Sequence, residues 1–313
     1  MVEKELFQKA EGVGIKASEL KELLRVLLEK ERVTTKEIAQ NLGLPRSVLK
    51  LLKPVFTDFL EKNPYFWILS KKGKSLAKQT IKEEKESFDV QIIVNLLEKY
   101  QSSRPKPRRN FDQFLATFQT VAKRAILLQE KEDLENKKLF FLGDSDLTSV
   151  GGAILGGAKE IAVADIDRRV LDFIKRIAGE QKLKINCLFY DVRNKLPTKY
   201  CHYFDVVFFD PPYTQNGLKV FLSRGIAALK KKEGRIYLCY GYSRRSKERG
   251  LAVQRVLTQA GVLIQEKFLD FNQYLRAESI GSRSSLYTCE LTPQSKPLIK
   301  GEFFQPIYTG AER

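Results

Sequence analysis

The sequence predicts an α/β chain of two domains: a small, mostly helical module over residues 1–100 and a Rossmann-like, doubly wound domain over 101–313. Three observations predict this. After Lys137, short apolar runs alternate with stretches of helical periodicity. Aspartates close four successive apolar runs of that half. Between the halves lies Ser102-Ser103-Arg104-Pro105-Lys106-Pro107-Arg108-Arg109, proline-rich and cationic as an interdomain linker should be.

The first module covers residues 18–78. Leu20, Leu23, Leu24, Leu27 and Leu28 recur at helical spacing. Thr34 or Thr35 caps a further helix, with Glu37 in its first turn. Asn41-Leu42-Gly43-Leu44-Pro45 is a turn, and residues 46–60 resume helical periodicity. Tyr65-Phe66-Trp67-Ile68-Leu69 reads as a strand. This order resembles a winged helix-turn-helix. Such a module either binds DNA through the second helix of its turn or serves packing and dimerisation. A linker helix is expected over 79–100.

A helix over 111–129 leads into the second domain. Strands are expected over 139–143, 160–164, 184–190, 205–209, 234–240, 262–271 and 284–291. Helices are expected to 155 and over 168–179, 216–229 and 246–260. Seven strands with crossover helices make a doubly wound sheet. Ligands of such sheets bind beyond the carboxyl ends of the strands, near the switch point.

Composition excludes several chemistries. The single histidine, His202, reads as a loop residue and leaves no Ser-His-Asp, Cys-His or histidine-rich metal site. The four cysteines, Cys187, Cys201, Cys239 and Cys289, lack metal-ligand spacing and read as small hydrophobes. No metal site is expected. Apolar runs such as 206–209 are too short to span a bilayer, and the N-terminus has no signal-peptide core, so a cytoplasmic protein without membrane contact is expected. The net charge of +17 is spread over both halves. It attracts anions, nucleic acid among them, without identifying a site.

The strand ends carry the chemistry. The first ends in Gly143-Asp144-Ser145-Asp146, the second at Asp165 followed by Asp167, the third at Asp191, and the fourth in Asp210-Pro211-Pro212-Tyr213. Charges are expensive to bury without partners, so four such acids converging on one crevice point to a ligand. An acid after the second strand is placed to accept from both ribose hydroxyls. One after the third can accept from an adenine amino group.

This arrangement resembles the class I S-adenosylmethionine-dependent transferases over residues 110–291. Asp165 matches their ribose acid and Asp191 their adenine acid. Asp210-Pro211-Pro212-Tyr213 matches the motif with which amino-group methyltransferases hold an amine and stack a tyrosine on it. The loop after the first strand departs from that family. Its carboxylates, Asp144 and Asp146, would repel the carboxylate of S-adenosylmethionine and attract a tail ending in ammonium. Decarboxylated S-adenosylmethionine has such a tail and donates an aminopropyl group.

The chain also resembles the branched-chain polyamine synthases of thermophiles, which pair a winged helix with a Gly-Asp-Asp-Asp-Leu loop and Asp-Pro-Pro-Tyr. Further matches are Phe111-Asp112-Gln113 with Ala116-Thr117, Phe271-Asn272-Gln273-Tyr274 and Ile280-Gly281-Ser282-Arg283-Ser284. The resemblance implies transfer of aminopropyl from decarboxylated S-adenosylmethionine to a nitrogen of a polyamine such as spermidine, releasing methylthioadenosine. Gly143, Asp144, Asp165 and Asp191 form the expected cofactor set. Asp146 is the expected amine-binding base, Asp210 holds the acceptor, Tyr213 packs against its chain, and Glu278 contributes a further acid. A homodimer is expected.

The chain departs from the family's pattern at three acids, where Ser145, the Ser243-Arg244-Arg245-Ser246 run and Ser285 stand. A shorter amine or a linear polyamine as acceptor therefore stays open. Two other readings also stay open. One is S-adenosylmethionine-dependent methylation of amino groups on nucleic acid, which the charge and the motif fit. The other is a winged-helix regulator that uses the second domain as a ligand sensor.

Overall fold

The computed structural model describes residues 2–15, 17–42, 44, 46–87, 90–230, 234–242, 247–275 and 283–309. The chain divides into two compact units, Met1–Asp89 and Val90–Arg313.

The first unit runs α1 (Val2–Gly12), α2 (Ala17–Glu29), β1 (Val33–Thr34), α3 (Thr35–Leu42), α4 (Arg46–Val55), β2 (Phe66–Trp67) and α5 (Lys71–Ser87). The leucine stripe of α2 packs with Ile38, Leu49, Leu52, Phe56 and Trp67 into one core. A reciprocal capping box starts α3. Glu37 N donates to Thr34 Oγ1 at 3.2 Å, and Thr34 N donates back to Glu37 Oε2 at 2.8 Å. The expected strand over 65–69 shrinks to two residues, with Val33 opposite Trp67. The indole N–H of Trp67 donates to Thr35 Oγ1 at 3.0 Å, so its one polar atom is partnered inside the core. Helix α1 has no counterpart in the sequence reading. The expected linker helix is two helices, α5 and α6 (Val90–Glu98). Ile93, Val94 and Leu97 of α6 pack with Val121, Ala125 and Leu128 into the core of the second unit.

The second unit continues with α7 (Phe118–Glu130), β3 (Lys138–Leu142), α8 (Thr148–Leu155), β4 (Glu160–Asp165), α9 (Arg168–Glu180), β5 (Asn186–Phe189), β6 (Val206–Phe209), α10 (Gln215–Ala228), β7 (Arg235–Tyr240), α11 (Lys247–Gln259), β8 (Val262–Gln273) and β9 (Arg283–Leu291). The seven strands lie in the order β5-β4-β3-β6-β7-β9-β8. The pairs from β5 through β7 are parallel, and β9 runs antiparallel to both β7 and β8. Strand order reverses between β3 and β6. The carboxyl ends of those strands therefore flank the crevice that a doubly wound sheet offers a ligand. Phe140, Val207 and Ile236 belong to one apolar layer and Phe141, Phe208 and Tyr237 to the other, as strands buried on both faces require.

Helix α7 starts seven residues later than the expected helix at 111. Thr117 caps it, accepting from Thr120 N at 3.2 Å, while Thr117 N donates to Gln273 O at 2.9 Å. Ala116 forms a bridge with Tyr274. Leu115 and Ala116 are thus held against Leu275 and Tyr274, Arg109–Phe111 form a separate 3-10 turn, and none of them joins the helix. His202 sits in a turn at φ +52°, its Nδ1 3.1 Å from Leu229 O. Cys239 and Cys289 are buried in strands, and the four cysteines are free thiols. Among the described residues no helix is long and apolar enough to cross a membrane, and no cluster of three metal-ligating side chains occurs.

Candidate active site

One cavity opens at the carboxyl ends of β3, β4 and β6. Its walls include Gly143, Asp144, Asp146, Asp165, Asp210 and Tyr213, joined by Phe111, Arg124, Tyr274 and Tyr308. Six of the eight residues expected at the site thus line one space. Asp191 stands between Tyr190 and Val192, which also line it. Glu278 and the 243–246 run lie outside the described residues.

Local structure explains each placement. Gly143 adopts φ +71°, a conformation that a side chain disfavours, and its N–H donates to Ala164 O at 2.8 Å. The chain thereby turns sharply off β3 towards β4. Asp144 is 3% exposed and accepts from the first N–H groups of α8: Thr148 N donates to Oδ1 at 2.8 Å and Ser149 N to Oδ2 at 3.0 Å. Burial pushes its carboxyl up to about 7, against the pull of those N–H groups. Both Asp144 oxygens are thus engaged by the helix terminus.

Asp165 is the last residue of β4 and accepts from Asp144 N at 3.0 Å and Asp167 N at 2.8 Å. Burial raises it to about 6. Asp167 caps α9 and pairs with Arg169 Nη2 at 2.6 Å. Asp191 pairs with Arg193 through Nη2 at 2.6 Å and accepts from its backbone N–H at 2.9 Å. Burial works to raise Asp191, but the Arg193 hydrogen bonds outweigh it and hold the carboxyl below the usual range.

The part of the cavity around Asp146 and Asp210 is built on a residue that the sequence reading passed over. Arg124 of α7 is 1% exposed, and all five of its N–H donors are used. Nε donates to Asn272 Oδ1 at 2.8 Å. Nη1 reaches Asp146 Oδ2 at 2.7 Å and Thr148 Oγ1 at 3.2 Å. Nη2 reaches Asp210 Oδ2 at 3.0 Å and the Tyr274 hydroxyl at 3.2 Å. One guanidinium therefore bridges the two acids expected to handle the amine. Asp146 Oδ1 also accepts from Ala116 N at 2.6 Å, and Arg104 Nη2 lies 3.9 Å away. Arg104 belongs to the expected linker. Its guanidinium is instead buried, donating to Ala116 O at 3.3 Å and Ser145 O at 3.0 Å.

Asp210 has a different set of partners. Its Oδ2 accepts from the Tyr274 hydroxyl at 2.5 Å and its Oδ1 from the Tyr213 hydroxyl at 3.2 Å. Burial raises Asp210 to about 6; Arg124 pulls down and Asp146 pushes up. Tyr213 packs on Tyr240 with ring centroids 4.8 Å apart. A Cβ on Gly241 would sit 2.9 Å from the Tyr213 ring, so glycine there leaves the ring its seat.

A signal for Arg124 exists in the sequence. It lies three residues after Val121 and four before Leu128, on the apolar stripe of its helix. A cation on such a stripe demands buried anionic partners. Tyr274 and Asn272 fall in the Phe271-Asn272-Gln273-Tyr274 match, but nothing in their spacing indicates that they face Asp210 and Arg124.

Known proteins extend these findings. The family described as branched-chain polyamine synthase A C-terminal domain matches residues 93–294. The uncharacterized protein MJ0675 of Methanocaldococcus jannaschii is 33% identical over 308 residues, covering 93% of this chain and 77% of that one. The N(4)-bis(aminopropyl)spermidine synthase of Thermococcus kodakarensis is 38% identical over 196 residues, 60% of this chain and 55% of that enzyme. The matched segment spans about half the length of that synthase. Among solved structures, the branched-chain polyamine synthase of Thermus thermophilus, in complex with N4-aminopropylspermidine and 5'-methylthioadenosine, has a TM-score of 0.63 at 21% identity. The match covers 98% of this chain and 97% of that one. A putative RNA methyltransferase of Pyrococcus horikoshii, PH1948, has a TM-score of 0.50 at 16% identity, covering 60% and 91%. Both likenesses show the fold, a class I methyltransferase-like sheet. The strand-end acids, the Asp210-Pro211-Pro212-Tyr213 turn and the family match over 93–294 agree, and the chain belongs to the branched-chain polyamine synthase family.

Proposed function

We propose that this chain transfers an aminopropyl group from decarboxylated S-adenosylmethionine to an amine nitrogen of a polyamine and releases methylthioadenosine. One observation carries the reading: carboxylates from the ends of β3, β4 and β6 line a single cavity, while Arg124 beside them has no free donor. That setting suits a donor tail ending in ammonium better than one ending in carboxylate. Relatives named N(4)-bis(aminopropyl)spermidine synthase support the same chemistry.

Under this reading Asp165 accepts from the ribose hydroxyls, and the β5 end, with Asp191, faces the adenine. Asp146 and Asp210 flank the acceptor nitrogen, and Tyr213 packs against its carbon chain. A free alkylamine has a pKa near 10, so baring its lone pair at neutral pH costs about 4 kcal/mol. A carboxylate within hydrogen-bond reach takes the proton. The nitrogen pair then forms the new N–C bond, and the C–S pair leaves with sulfur. Alignment of nitrogen, carbon and sulfur lowers the barrier further.

The element order of the first unit, with α3 and α4 in succession and β1 paired to β2, supports reading it as a winged helix. We assign it to dimerisation. Sedimentation of the full chain and of Val90–Arg313 tests that: a dimer only for the full chain supports it, and two monomers overturn it.

The test of the transfer is titration calorimetry with S-adenosylmethionine and with its decarboxylated form, followed by methylthioadenosine release with spermidine. Tighter binding of the decarboxylated form and release of methylthioadenosine are expected. Preference for S-adenosylmethionine overturns the reading in favour of methyl transfer onto nucleic acid.

A further inference from the structure

The two acids beside the acceptor are not equivalent, and the difference lies in what their partners are able to do. Asp146 is held by a backbone N–H and by Arg124, with Arg104 nearby. Neither an amide N–H nor a guanidinium has a lone pair to offer an acid proton. A protonated Asp146 would therefore leave buried donors facing a donor. Asp210 also meets Arg124, but its other partners are the hydroxyls of Tyr213 and Tyr274. A hydroxyl both donates and accepts, and it rotates to suit. The Tyr274 hydroxyl has an alternative partner in Ser284 Oγ at 2.9 Å, where either atom can donate. If Asp210 takes a proton, Tyr274 turns its own hydrogen to Ser284 and accepts from Asp210. Ser284 Oγ, with two lone pairs, then accepts from Tyr274 as well as from Asn272 Nδ2.

We infer that the proton of the acceptor ammonium goes to Asp210, and that Arg124 and Asp146 are positioning residues that hold Asp210 for that task. The assignment rests on the aminopropyl-transfer reading and reverses the expectation that Asp146 is the base. In the step, one N–H bond of the ammonium breaks and its proton joins an Asp210 oxygen. The freed nitrogen pair attacks the carbon beside the sulfonium, and the C–S pair passes to sulfur. Asp146 keeps its bond to Arg124 and takes no part in the proton transfer. Among the described residues, the charged and titratable groups facing Asp210 are Arg124 of α7, Asp146 after β3, Tyr213 of its own turn, Cys239 of β7 and Tyr274 beyond β8. Cys239 is fully buried, and burial raises its thiol well above the usual range, so it stays neutral.

The test has two arms. In the first, the aspartate carboxyl carbons of the full chain are labelled with carbon-13 and followed by NMR from pH 5 to pH 8. The signal missing in Asp210→Asn is expected to titrate inside that range. A silent Asp210 overturns the inference. Should Asp210→Asn fail to fold, the acid limb of Asp146→Asn in the second arm decides. In the second arm, methylthioadenosine release is measured from decarboxylated S-adenosylmethionine and spermidine. Asp210→Asn is expected to lower kcat about 100-fold or more and to remove the acid limb of kcat/KM. Asp146→Asn is expected to lower kcat about tenfold with the acid limb in place, because asparagine keeps an oxygen for Arg124. Loss of the acid limb in Asp146→Asn overturns the inference. A wild-type chain that releases no methylthioadenosine overturns the transfer reading instead, while the carboxyl titration, which needs no substrate, still judges the proton assignment.

Discussion

Arg124 Nη1 lies 2.7 Å from Asp146 Oδ2, and the two side chains are 1% and 8% exposed. The pair is desolvated, and its cation also serves Asp210 at 3.0 Å. Removing one partner of such a pair strands buried charge. Arg124→Met should therefore destabilise the chain by about 3–5 kcal/mol. Arg124→Lys, which keeps the charge but not the fork, should cost less. Urea unfolding of both variants checks the order, and an Arg124→Met variant as stable as the wild type would rule out the hub role.

Burial raises Asp144 to about 7 and Asp165 and Asp210 to about 6. Their unfolded values lie near 3.9. Over that interval the native state binds more protons than the unfolded one, so stability falls as pH rises. The carboxyls held low, Asp167, Asp191 and Asp205, are ionised in both states above about pH 5 and do not shape this window. The unliganded chain should thus have a higher Tm near pH 5 than near pH 8. A Tm that climbs over this range would contradict the burial argument.

The Tyr274 hydroxyl meets Asp210, Arg124 and Ser284. Tyr274→Phe alone should cost about 1–2 kcal/mol, since each buried partner loses a hydrogen bond. In a double-mutant cycle with Asp210→Asn, a coupling of about 0.5–3 kcal/mol is expected. Strict additivity would mean that the two groups act separately.

Arg224 of α10 is buried and donates to Val192 O at 2.9 Å, Ile299 O at 3.0 Å, Arg193 O at 3.3 Å and Gly301 O at 2.7 Å. It ties the chain after β9 to the turn after β5. Arg224→Met leaves those carbonyls without their donor, and a loss of about 2–4 kcal/mol is expected. Limited proteolysis should then cut near residues 295–305 first. Wild-type resistance there would show that other contacts hold the segment.

Much of the architecture was legible in the sequence. The alternation after Lys137 gave seven strands, and the structure has seven in one sheet. Thr34 and Glu37, three residues apart, announced a helix start that is a reciprocal capping box. Errors fell where a distant partner overrides local pattern. The helix expected from 111 begins at Phe118, because Ala116 and Thr117 are claimed by Tyr274 and Gln273, more than 150 residues away. The expected linker residue Arg104 is buried against the turn after β3 for the same kind of reason.

At the site, the sequence by itself determined which acids stand at the ends of which strands. Strand period and turn residues are local, and the parallel topology then brings those ends together. What each acid does was decided only in the tertiary structure. Asp144 spends its oxygens on α8, Asp146 on Arg124 and Ala116, and Asp210 keeps hydroxyl partners that can turn. The difference between Asp146 and Asp210 depends on distant residues: Arg124 is 22 positions from Asp146 and 86 from Asp210. A carboxylate's proton affinity follows from burial and from the charges and donors around it. Spacing along the chain records neither.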